Sequence, residues 1–110
     1  MDNSKLVKDT VAFLEERKAE DIVVVDVKDR TPFTDYYILV TAPNMRAAGA
    51  YAELLEDFFE SRVEDLHKPE GEPESGWILV DAGELVVHIF TAIKRVELNL
   101  EELLEKRRNS

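Results

Sequence analysis

The sequence predicts an α/β fold: one two-layer domain with a mixed sheet of four strands and helices packed on one face. Three observations carry this. Runs rich in β-branched and aromatic residues recur at 22–27, 35–41, 77–80 and 85–90, which is strand composition. Apolar residues recur at helical spacing across 4–18 and 45–62. Proline, glycine and asparagine punctuate the intervals between these stretches. A chain of 110 residues is one domain, able to bury roughly two-thirds of its unfolded surface.

The elements follow in order. Residues 4–18 read as a helix, with Val7, Val11 and Leu14 on one stripe, Leu6 and Phe13 beside it, and Asn3 or Ser4 as N-cap. The β-branched run from Ile22 to Val27 is expected of an interior strand. Residues 28–34 connect, because Pro32 forbids helix there. Residues 35–41 form the second strand. Asn44 then caps the longest helix, whose stripe is Ala48, Tyr51, Leu55 and Phe58, widened by Leu54 and Phe59, and which ends near Arg62. Residues 67–76 hold Pro69, Gly71, Pro73 and Gly76 among acids, a loop composition.

A hairpin comes next, with Ala82-Gly83 as its tight turn and Gly83 free to take positive φ. A two-residue loop there pairs Asp81 with Glu84, Val80 with Leu85, Leu79 with Val86, Ile78 with Val87 and Trp77 with His88. Alternation puts Ile78, Val80, Leu85, Val87 and Ile89 on one face, aliphatic throughout. The opposite face carries Trp77, Leu79, Asp81, Glu84, Val86, His88 and Phe90. The aliphatic face belongs beneath the helices, and the mixed face is expected to be partly open. Ile93, Leu100, Leu103 and Leu104 predict a short helical tail, from about residue 98, packing its leucines back. Open edges and a semi-apolar face make homodimerisation a natural solution.

Composition narrows the function. Cysteine is absent, which excludes disulfides, thiolate metal sites and a cysteine nucleophile. The first residues lack a basic stretch leading into an apolar one, and no run approaches a membrane span, so a cytoplasmic protein without a membrane partner is expected. The net charge is −10. Nucleic acid is a poor partner for such a surface, since phosphate binding needs clustered Lys and Arg. The acidity either draws a basic protein or serves solubility. Nine acids lie between Glu53 and Glu74 against Arg62 and Lys68 alone, a solvated helix face and loop.

Catalytic signatures are missing. There is no glycine-rich phosphate loop, no Gly-x-Ser-x-Gly and no His-Glu-x-x-His. His67 and His88 stand 21 residues apart, with no further ligands to complete a zinc site. Glu70, Glu72 and Glu74 match no calcium loop. An isolated strand histidine is usually a hydrogen-bonded structural residue, and a single tryptophan is commonly core. Buried indole and imidazole both want polar partners, however, and a tryptophan bounded by polar groups is a common build for an interface hot spot. No catalytic residue, metal or cofactor is assigned.

Over residues 6–104 the chain resembles the ribosomal silencing factors, also called Iojap-like proteins. The landmarks are Asp21-Ile22-Val23-Val24-Val25-Asp26-Val27, then 35–42 with Arg46, then Glu70-Gly71. The most specific is the tract 76–91, with Trp77, Asp81-Ala82-Gly83-Glu84 and Val86-Val87-His88 in order. The resemblance implies a nucleotidyltransferase-like α/β domain, tending to homodimerise. It also implies a factor that binds the large ribosomal subunit through that subunit's ribosomal protein fourteen, blocks docking of the small subunit and so represses translation. No bond making is needed. The alternative is a degenerate nucleotidyltransferase-like domain with residual nucleotide binding. An active one would want Gly-Ser after a strand and paired aspartates for magnesium, where this chain has Thr41-Ala42-Pro43-Asn44 and no Asp-x-Asp. The chain departs from the family in having Leu98 and Leu104 where tyrosine and tryptophan usually stand. Trp77, Leu79, Asp81, His88 and Phe90 are expected to form or support the partner contact, with Trp77 as anchor. Tyr36, Thr41 and Arg46 are expected to shape the fold or the rim.

Overall fold

The computed structural model describes residues 4–64 and 66–99. Helix α1 (Ser4–Glu16) leads into strand β1 (Glu20–Asp26) and strand β2 (Tyr36–Ala42). Helix α2 (Met45–Glu60) follows, then a 3-10 turn (Pro73–Ser75), the hairpin strands β3 (Trp77–Asp81) and β4 (Leu85–Thr91), and helix α3 (Ala92–Leu98). The predicted succession of elements and the mixed two-layer sheet are both present.

The sheet order is β1-β2-β4-β3. Strands β2 and β4 run parallel at its centre, with Tyr36 opposite Leu85 and Ala42 opposite Thr91. Both outer pairs are antiparallel. A parallel pair needs a long connection, which α2 and the hairpin provide. Strand β1 therefore lies at an edge, and its expected interior position is wrong. Its β-branched run correctly signals strand, but Val24 is 43% exposed. Composition of that kind reports extended backbone and does not say how many neighbours the strand has. The interior strand is β2, where Ile38, Leu39 and Val40 are all buried.

The hairpin register is shifted by two residues from the predicted one. Trp77 faces Phe90, Leu79 faces His88, and Asp81 faces Val86. The loop pair is Gly83-Glu84: the Ala82 amide donates to the Leu85 carbonyl at 2.8 Å, and the Glu84 amide to the Ala82 carbonyl at 3.1 Å. Gly83 takes φ 84°, and its amide donates to Asp81 Oδ1 at 2.8 Å, an Asx-type closure. The left-handed residue thus comes first in the loop. A shift of two preserves the alternation, so every residue stays on its predicted face.

Ile78, Val80, Leu85, Val87 and Ile89 meet Ile38 and Val40 on the helical side, packed against Val7 and Leu14 of α1 and Ala48, Tyr51, Leu55 and Phe59 of α2. Asn44 caps α2, its side chain accepting from the Ala47 amide at 2.8 Å. Helix α3 starts at Ala92, capped by Thr91, directly off β4 and earlier than the predicted tail. Ile93 and Val96 on it are 75% and 78% exposed; Leu100, Leu103, Leu104 and the expected cap Asn3 lie outside the described residues.

Candidate functional site: the mixed sheet face

The second face of the sheet collects alternate residues of three strands. Strand β3 contributes Trp77, Leu79 and Asp81, strand β4 Val86, His88 and Phe90, and strand β2 Tyr37, Leu39 and Thr41. Three rings form a near-parallel group. Trp77 stacks on Phe90 with centroids 5.7 Å apart and on His88 at 6.0 Å. His88 and Phe90 stand 6.2 Å apart with only 12° between their planes. Tyr37 meets His88 edge-on at 4.4 Å. Phe90 is 1% and His88 5% exposed, whereas Trp77, Leu79 and Asp81 are half-buried. The five predicted residues thus share one face in two depths: Phe90 and His88 form a foundation, and Trp77 and Leu79 reach solvent above it.

Polar partners define the imidazole. Trp77 Nε1–H donates to His88 Nδ1 at 3.2 Å, so Nδ1 holds a lone pair and the neutral ring carries its proton on Nε2. Burial pushes the His88 pKa down from its ordinary 6.5 to about 4, because a charged ring would lose its hydration. Among the described residues, His88 Nε2 and Thr34 Oγ1 are both buried without a hydrogen-bond partner. The ring is oriented by an indole and not by the carboxylate that general-base work would call for. Among the described residues no group of three His, Cys, Asp or Glu could hold a metal ion, and no helix is long and apolar enough to cross a membrane.

Asp81 closes the hairpin turn through its own side chain. Thr41, buried, accepts from Arg95 Nη1 at 2.8 Å and so pins α3 to the sheet. Tyr36 lies on the helical face with its hydroxyl bonded by Lys28 Nζ at 3.0 Å, and Arg46 is exposed in the first turn of α2. Sequence reasoning missed Thr34, Tyr37 and Leu39. Alternation along β2 places the latter two on one face, but only the long-range pairing of β2 with β4 brings them to His88.

The free edge of β3 is partly covered by the preceding loop. Glu70 and Leu79 exchange amide-to-carbonyl bonds at 2.9 and 2.8 Å, and the His67 amide donates to the Asp81 carbonyl at 3.2 Å. Gly71 makes this approach possible: its φ is 95°, and an added Cβ would collide with the Trp77 carbonyl. Gly71→Ala is expected to cost about 1–3 kcal/mol of stability from the strained backbone. Amide exchange at Glu70 and Leu79 should accelerate beyond that at Val87. Unchanged protection would show that the loop tolerates a side chain there.

A family model described as ribosomal silencing factor during starvation matches residues 1–110. The chain is 30% identical over 103 residues to the ribosomal silencing factor RsfS of Bacillus subtilis (strain 168), covering 94% of this chain and 87% of that protein. It is 32% identical over 98 residues to RsfS of Haemophilus influenzae, covering 89% and 96%. The chloroplastic protein Iojap of Zea mays is 34% identical over 87 residues, covering 79% of this chain and 38% of that one. In structure, the chain is similar to a protein from Chromobacterium violaceum, at TM-score 0.84 and 28% identity, covering 94% and 86%. A Bacillus halodurans protein gives TM-score 0.78 at 27% identity, covering 92% and 94%.

Proposed function

The chain belongs to the ribosomal silencing factor family, and from that premise we propose that it represses translation by occupying the large ribosomal subunit. The contact is made through that subunit's ribosomal protein fourteen, and the bound domain stands where the small subunit would dock. The mechanism is steric and needs no catalysis, cofactor or metal. In this reading the protein works in the cytoplasm and is a homodimer when free.

The half-buried Trp77, raised on the rings of His88 and Phe90, is the observation that carries the reading. An indole held at fixed tilt by stacking and by its own N–H bond loses little freedom when it docks. Aromatic anchors of this kind dominate interface energetics. Leu79 adds apolar surface beside it, while His88 and Phe90 act from beneath. A net charge of −10 favours encounter with a basic ribosomal protein and discourages binding to bare RNA.

Density-gradient sedimentation tests the proposal. The protein should migrate with large subunits and reduce the joined-ribosome peak when both subunits are supplied, and the effect should weaken as salt rises. Protein that stays at the top of the gradient with joined ribosomes undiminished would overturn it.

A further inference from the structure

We propose that the cavity between the mixed sheet face and the connection from β1 to β2 is a binding site for a primary carboxamide. The cavity, of about 180 Å³, is lined by both Thr34 and His88, whose Oγ1 and Nε2 atoms are the buried polar atoms without a partner among the described residues. The Trp77 bond occupies His88 Nδ1, so Nε2 is a proton donor in want of an acceptor. Thr34 Oγ1 is out of bonding reach of it. Buried polar atoms are rarely left unpaired in native proteins, and those that are commonly mark a place where something else binds.

The other walls choose the ligand. Leu79 and Val86 supply apolar surface, and the carboxylate residues Asp81 and Glu70 line the same cavity. An anion would satisfy Nε2–H but meet the half-buried Asp81 carboxylate, whose Oδ1 already accepts from the Gly83 amide, and the exposed Glu70 at the rim. A cation would suit the carboxylates but offers Nε2–H no acceptor. Water satisfies the donor but gains nothing from the apolar walls. A primary carboxamide suits both kinds of polar group: its carbonyl would accept from His88 Nε2–H, and its two N–H groups would donate to Thr34 Oγ1 and to a carboxylate. The group can come from a free small amide or from an asparagine or glutamine side chain of a docked protein. The site stands on the cavity alone, whatever binds above Trp77.

The test is NMR of the full chain labelled with 15N-histidine at pH 7, the His88 resonances being assigned by their loss in His88→Phe. Acetamide and N-acetylglutamine methylamide are titrated separately, with sodium acetate and methylammonium chloride as matched controls. Acetamide should shift the His88 Nε2 signal along a saturating curve that neither control reproduces. Thr34→Val should weaken it about fivefold, the worth of one neutral hydrogen bond. Saturation by the glutamine derivative as well assigns the site to a protein side chain, and saturation by acetamide alone assigns it to a free amide. No saturating shift with either amide, an equal shift with the controls, or an unchanged curve in Thr34→Val overturns the assignment.

Discussion

Replacing Trp77 with alanine is expected to lower affinity for the large ribosomal subunit about thirtyfold, the result of losing about 2 kcal/mol from a central aromatic anchor. The domain should stay folded, because Trp77 lies outside the helical core formed by Ile38, Val80, Leu55 and Phe59. The substitution exposes the flat side of Phe90 and leaves His88 Nδ1 without its donor, so some stability is lost as well. Trp77→Phe separates the two effects. It keeps a ring on Phe90 while removing the N–H and the second ring of the indole, so binding should recover in part and stay below that of the wild type. Co-sedimentation across a range of subunit concentrations gives both affinities. Wild-type binding by Trp77→Ala would place the contact elsewhere on the molecule.

Acidification should remove about 3 kcal/mol of folding stability between pH 6.5 and 4, through His88 alone. The folded ring titrates near 4 and the unfolded one near 6.5, so across this window the unfolded chain binds the extra proton. Stability therefore rises with pH, is fully present above about 6.5, and is lost progressively down to about 4. Protonation is opposed by enclosure against Tyr37 and Phe90. Urea unfolding at half-unit pH steps measures the slope, and His88→Phe provides the reference, since it fills the same space with nothing to protonate. The difference between the two proteins should grow by about 1.4 kcal/mol per pH unit inside the window. Parallel curves would mean that the imidazole finds water or a counter-charge when it protonates.

What could be read in advance was whatever is encoded locally. Alternation along residues 77–81 and 85–90 assigned each side chain to its face, and a slip of two residues leaves that assignment intact. The register itself depends on a side-chain acceptor, Asp81 Oδ1, and on Gly83 opening the loop instead of closing it, details that alternation does not encode. The strand at 22–27 was visible, but its edge position follows from β4 pairing with β2, a contact between distant parts of the chain. For the same reason the site was half legible. Trp77, His88 and Phe90 are neighbours within one hairpin, whereas Thr34, Tyr37 and Leu39 reach His88 only through the tertiary fold. That indole and imidazole each need a polar partner is legible in the sequence; that they supply it to each other, across a diagonal and not directly opposite, follows from the register.

The central parallel pairing has a bearing on biosynthesis. Tyr36 finds Leu85, and Ala42 finds Thr91, so the middle of the sheet can close only once β4 has been synthesised. A nascent chain that ends with α2 holds β2 with just one of its two neighbours, and such distant pairings form late. The Tyr37 and Leu39 side of the ring platform is therefore absent until β4 has been made, which leaves an incomplete polypeptide without the finished face.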